Sequence, residues 1–325
     1  MRGLAIVARL DGPAKMPKAT TGAAPQRLSS RQNERSGLAA ALGAFLMWGL
    51  FPLYLHPLAH VPTLQVIAHR IAWCCLMVFG WLVARGEIGS VRAALANPES
   101  RWRLVASALL ISVNWLVYVW AVSNGHTVDA SLGYFINPLV NVFLGVVLLS
   151  ERLNRAQWTA VALAGLGVAY LTITTGRIPW IALVLAASFG TYGLIRKVVA
   201  VDAVAGLATE SLLLLPFAVA WLLWCEQQGT GALGHSTAGI DALLLGSGLA
   251  TALPLALFAY GARQIPLSTV GLVQYIGPTL QFLIGVLVFR EPFSHTRAIG
   301  FVIIWLALAI YVTDSLWRNR RALGA

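Results

Sequence analysis

Three side chains in this sequence place charge where charge is expensive. His69 and Arg70 lie about six residues into one long apolar stretch and Glu210 about six residues into another, and each stretch is long enough to cross a bilayer. Ionisable groups at such depth are costly, and they commonly face a partner, a cavity or a solute path. His69 and Glu210 can gain and lose protons, so either is a candidate to carry a coupling proton. Arg70 offers a permanent cation. Arg70 and Glu210 stand 140 residues apart.

That offset recurs. Ser131 to Glu151 (SLGYFINPLVNVFLGVVLLSE) lies over Gly271 to Glu291 (GLVQYIGPTLQFLIGVLVFRE) without a gap, pairing Pro138 with Pro278, Gly145 with Gly285 and Glu151 with Glu291. Leu, Ile and Val coincide by composition in any two apolar helices. A proline, a glycine and a terminal glutamate in one register do not. Near the start of each half FLMWGLFPL from Phe45 resembles AASFGTYGL from Ala186, which sets Gly49 over Gly190. Asn154 meets Ser294, both good helix N-caps, and Gln157 completes a capping-box pattern with Asn154.

Proline cannot donate to the carbonyl four residues back, so Pro138 and Pro278 release those of Tyr134 and Gln274 in mid-span. In lipid such groups are tolerated where protein or a wet cavity receives them. Asn141 and Gln281 follow three residues after each proline on nearly the same helix face, and Asn137 adjoins Pro138. Trp48, Asn114, Trp115 and Tyr134 complete a candidate aromatic and polar pocket. Glu151 and Glu291 precede the last helix of each half, whose dipole favours a carboxylate. Gly145, Gly165, Gly167, Gly246, Gly285 and Ala169 are read as packing positions.

The elements that must position these residues are membrane spans. Hydrophobic residues make up 58% of 325 and charged ones only 11%, too little polarity to cover a soluble globule. Ten apolar stretches are expected at about 38–58, 64–84, 102–122, 129–149, 156–174, 179–195, 205–224, 240–262, 267–289 and 296–314. Two copies of a five-span unit must lie upside down relative to each other, the build of many secondary transporters. The expected fold is an all-α polytopic membrane protein with ten transmembrane helices as two inverted repeats, 38–174 and 179–314. Residues 1–37 read as a disordered cytoplasmic leader, with Met16 an alternative start, and 315–325 as a basic cytoplasmic tail.

The net charge of +11 suggests nucleic acid less than orientation. With the N-terminus inside, nineteen of the 23 Lys and Arg fall on one side, so both termini are expected in the cytoplasm. The cysteines Cys74, Cys75 and Cys225 form no disulfide framework or metal spacing. Phosphate-loop, HExxH and GxSxG motifs are absent, so neither ATP hydrolysis nor an obvious catalytic centre is written here, and no cofactor is expected.

Four strings are recognisable: NWLVYVWAVSNGHTVDASLGYFINPLVNVFLG from Asn114, AHRIAW from Ala68, ASFGTYGLIRK from Ala187 and QYIGPTLQFLIGV from Gln274. They resemble the RarD branch of the EamA transporters, in the drug/metabolite transporter superfamily, over nearly all of 38–317. The resemblance implies a ten-helix carrier of the bacterial inner membrane with two EamA repeats, named in some members for chloramphenicol sensitivity or resistance. The family pattern often has glycine before the glutamate that ends spans four and nine, whereas this chain has Ser150 and Arg290, which makes a tight turn less assured. The expected partners are a small-molecule substrate, the lipid bilayer and, for coupling, protons, with a homodimer compatible. The alternatives are a membrane enzyme or lipid flippase, and a non-transporting assembly subunit.

Overall fold

A chain in lipid must satisfy its backbone within each segment, and the ten apolar stretches are helical, that at 267–289 with a break. The computed structural model describes residues 23–149, 153–265 and 267–323. The helices are α1 (Ala23–Leu55), α2 (Thr63–Arg85), α3 (Ile88–Ala96), α4 (Pro98–Ser123), α5 (Thr127–Leu149), α6 (Arg155–Thr175), α7 (Trp180–Val198), α8 (Ala203–Gln227), α9 (Ala238–Gln264), α10 (Leu267–Val273), α11 (Ile276–Leu283) and α12 (His295–Leu323). No strand occurs among the described residues. Seven helices there are long and apolar enough to cross a membrane, with shorter apolar helices at Trp180–Arg196 and Ile276–Val288. The chain is a multi-pass membrane protein.

Two local outcomes differ from the sequence reading. Residues 23–37, expected to be disordered, continue α1 outward, because extending a helix already nucleated by its apolar part costs little. Met16, Ser150 and Glu151 lie outside the described residues. The short α3 was not foreseen: it buries only Val91 and Ala94, too little to register as an apolar stretch.

The paired prolines also part company. α5 runs unbroken through Pro138. The chain of span nine breaks at Gln274–Tyr275, and Pro278 sits in the first turn of α11, where its missing N–H is least costly. Just beyond it, Thr279 donates both its N–H (3.1 Å) and its hydroxyl (2.7 Å) to the Tyr275 carbonyl.

The Asn154 cap forms as its spacing predicts: Gln157 N–H donates to Asn154 Oδ1 at 2.8 Å and Asn154 N–H to Gln157 Oε1 at 3.1 Å. Glu291 departs from expectation. It takes the Thr127 and Val128 amides, at 2.7 and 2.8 Å, and so caps α5 of the first half rather than the helix that follows it. Gly285 permits this approach, because a Cβ there would stand 2.8 Å from Val128 Cγ2. The tight turn before Glu291 forms despite lacking glycine, with Arg290 in the left-handed region at φ 55°.

Packing between residues 38–174 and 179–314 falls largely into pairs related by the 140-residue offset, α3 on α8 and α5 on α12 excepted. In this relation α1 packs along α9 and α7 along α4. Likewise α5 packs on α7 and α11 on α1, and α2 packs on α9 as α8 does on α4. The pairs α2 with α8, α5 with α11 and α6 with α12 are their own counterparts.

Valine at position 290 is expected to lower stability by roughly 1–2 kcal/mol, since a β-branched residue is strained at positive φ, whereas glycine there is not. Thermal unfolding of both variants in detergent checks this; equal midpoints for Arg290→Val and the parent chain would remove the strain argument.

Candidate functional site

Arg70 is only 6% exposed on α2, one face of which meets α8 and another α9. Its Nε donates to Thr251 Oγ1 of α9 at 2.7 Å. The guanidinium lies over two rings, Trp115 of α4 at 4.3 Å and Phe51 of α1 at 4.9 Å. Such stacking is favourable for arginine in a desolvated setting. Its Nη1 is buried with no hydrogen-bond partner.

Glu210 is 2% exposed on α8. Ser107 of α4 donates to its Oε1 at 2.6 Å, and Tyr192 of α7 to its Oε2 at 3.3 Å. Arg196 Nη1 lies 3.8 Å from Oε1. Gly206, one turn before Glu210 on α8, leaves room for that guanidinium, since a Cβ there would fall 1.7 Å from Arg196 Nη1.

The two sites are built alike with opposite charge. Arg70 and Glu210 correspond at offset 140, and the rings beside them, Phe51 and Tyr192, at offset 141. The hydroxyls come from corresponding spans: Ser107 matches Ser247, one turn before Thr251, whose own hydroxyl donates to the Ser247 carbonyl at 2.9 Å. An arginine takes the π face of its ring, and a carboxylate takes the hydroxyl. Between them, at the α2–α8 crossing, Ser211 Oγ approaches Cys74 Sγ at 3.9 Å.

A ladder of rings joins the sites. Phe51 stacks on Tyr118 (6.2 Å between centroids), Tyr118 meets Tyr134 edge-on (5.7 Å), Tyr134 meets Phe189 (6.0 Å) and Phe189 meets Tyr192 (5.9 Å). Tyr134 also donates to Asn114 Oδ1 at 3.1 Å, and Asn114 Nδ2 donates to the Leu185 carbonyl (3.0 Å) and Ser188 Oγ (3.1 Å). Asn114, Trp115, Tyr134 and Arg70 are therefore one neighbourhood, in which Arg70 stands where the expected pocket had Trp48.

The remaining candidates lie apart from it. Trp48 packs on Phe45 and Phe258, and its carbonyl accepts from Gln281 Nε2 at 3.0 Å. Asn137 and Gln281 are buried with Oδ1 and Oε1 unpartnered, and Pro138 and Pro278 are buried beside them in sequence. Asn141 is exposed, against expectation, though a Cβ on Gly190 would lie 3.1 Å from its Oδ1. His69 is buried on α2, and Gln274 is half-buried at the break before α11. Gly165 was read as a packing position, yet it has open space around it. Two apolar clefts, of about 250 Å³ at Phe135, Tyr275 and Trp305 and about 360 Å³ at Leu116, Trp120 and Trp180, hold none of the charged groups.

Sequence reasoning missed Ser107, Thr251, Phe51, Tyr118, Tyr192 and Arg196. The offset marks Ser107 with Ser247 and Phe51 with Tyr192. Arg196 was read only as a cytoplasmic marker, because nothing local says that it turns back toward Glu210.

A helical multi-pass protein with opposed buried charges at corresponding positions belongs to the class of membrane transporters. The EamA-like transporter family matches residues 35–173. An uncharacterized transporter of Pseudomonas aeruginosa is 45% identical over 291 residues, covering 90% of this chain and 97% of its own. The protein RarD of Streptomyces exfoliatus is 43% identical over 295 residues, 91% of this chain and 94% of its own. A solved crystal structure with 19% identity matches at a TM-score of 0.55 over 85% of this chain and 96% of its own, a likeness of fold. The chain belongs to the EamA-like transporter family, in its RarD group.

Removing the Ser107 hydroxyl by Ser107→Ala is expected to cost about 1–2 kcal/mol, the range for an interhelical bond to a buried charge in a membrane bundle. The cost should largely vanish in a Glu210→Gln background. A double-mutant cycle of unfolding in micelles measures this, and additive losses would mean that the 2.6 Å contact couples nothing.

Proposed function

We propose that this chain is a secondary transporter of a bacterial inner membrane, moving a small organic metabolite or drug by alternating access. It has ten spans in two inverted halves, 38–174 and 179–314, with the leader, the basic tail and both termini in the cytoplasm. The observation that carries this reading is the exchange of partners between halves: the principal contacts of one half's helices with the other half have counterparts when the halves are swapped, α3 on α8 and α5 on α12 being the exceptions. Matched contacts of this kind let one end of the bundle open while its counterpart closes, at little net change in packing. The charge placement supports it further, since Arg70 and Glu210 correspond and each draws a hydroxyl from the opposite half.

Glu210 is the proposed proton carrier. Its carboxylate has one cation nearby and two hydroxyls that hold it whether or not it is protonated. His69, buried on the same helix as Arg70, is the second candidate.

Reconstitution into proteoliposomes, with an untargeted metabolite uptake screen run with and without a pH gradient, tests the reading. Gradient-dependent uptake is expected, lost in Glu210→Gln and weakened in His69→Ala. Uptake unaltered by both substitutions would eliminate proton coupling through these residues, and absence of any uptake would eliminate the carrier. Engineered cysteines at the termini should react with impermeant reagents only from the cytoplasmic side; labelling from the periplasm would reverse the orientation.

A further inference from the structure

The two corresponding charged sites differ in one respect that bears on what is carried. Glu210 has its counter-ion inside the protein, with Arg196 Nη1 at 3.8 Å. Arg70 has none: among the described residues no carboxylate oxygen lies within 4.0 Å of it. Its supports are a neutral hydroxyl and two ring faces, and Nη1 donates to nothing. A buried cation without an anion is a standing cost, which complementary charge would remove.

A second observation points to the same place. The Tyr118 hydroxyl is also buried and without a hydrogen-bond partner. Tyr118 stacks on Phe51, the ring beneath Arg70. Two unsatisfied groups able to donate, one cationic, thus stand at one end of the aromatic ladder that runs through Tyr134 and Phe189. Paired donors of this type suit a carboxylate, which accepts at two oxygens. The ring faces suit an apolar or aromatic body.

We propose that Arg70 and Tyr118 form the binding site for the carboxylate of a small organic anion, whose apolar body lies along the Tyr118–Tyr134–Phe189 rings. This rests on the carrier reading and narrows its substrate to monoanionic amphipathic acids. Glu210, with Arg196 beside it, stays outside this head-group site and remains available for the proton. Co-transport of one proton with one such anion would then be electroneutral.

The probes are benzoate, phenylacetate and 3-phenylpropionate, with the corresponding carboxamides as uncharged controls of nearly the same shape. The full chain is purified in a neutral detergent without added lipid, so no anionic headgroup can occupy the site. Binding is read by calorimetry and thermal shift, and flux in proteoliposomes separately. At least one acid is expected to bind with a Kd roughly tenfold or more below that of its amide. Tyr118→Phe, which removes one oxygen and nothing else, should weaken the acid roughly tenfold and leave the amide unchanged. Arg70→Gln should weaken the acid about 30-fold or more, with Arg70→Lys recovering part of the loss.

Equal affinity for acid and amide, failure of all three acids to bind, or acid binding indifferent to Tyr118→Phe would each overturn the site. Acid binding with the expected variant pattern but no flux would uphold the site and defeat the carrier reading. Flux of neutral solutes alone, unaltered by Arg70→Gln, would uphold the carrier and defeat the site.

Discussion

The structure depends on how a charge is held where there is neither water nor salt to screen it. In a lipid-embedded bundle the hydrophobic effect supplies little force between helices, so van der Waals fit and polar contacts decide which helices meet. α2 and α8 each bring a full charge into the interior, and those charges persist there only because four other helices deliver partners: α1 and α9 near Arg70, α4 and α7 near Glu210. One partner of each comes from the other end of the chain: Thr251 for Arg70 and Ser107 for Glu210.

This cross-bracing recurs at smaller scale. Glu291 closes the N-terminus of α5 across the halves, through two amides that would otherwise be orphaned. Gly248 lets α9 touch the α2 backbone, where a Cβ would stand 2.4 Å from the Trp73 carbonyl carbon. The Gln65 amide clamps the loop between α8 and α9, donating to Thr230 O at 2.7 Å and accepting from Ala232 N at 2.9 Å. At the break before α11 the Tyr275 carbonyl takes both the N–H and the hydroxyl of Thr279. Local irregularity is tolerated where a specific acceptor or donor meets it.

How much was legible varies with the range of the interaction. The helices, their order and the Asn154 capping box follow from composition and spacings of three or four residues, and these are set locally. Arg70, Glu210, Trp115, Asn114 and Tyr134 were legible as candidates because a charge or amide in an apolar stretch is rare enough to stand out. Ser107 and Thr251 were not, because a hydroxyl that bonds its own helix backbone is common in membrane helices and carries no outward mark. Three residues' separation from Pro138 set Asn141 on a helix face, but not what that face meets.

By itself the sequence determined that this chain is helical and membrane-embedded, with opposed charges 140 residues apart, because apolar length and register are properties of the chain alone. Only the tertiary structure decided that Arg70 and Glu210 do not neutralise each other, that Arg196 serves Glu210, and that Glu291 caps a helix 163 residues away at Val128. Those outcomes depend on which helices cross and at what height, and in lipid that is settled by the fit of whole surfaces rather than by any neighbouring residue.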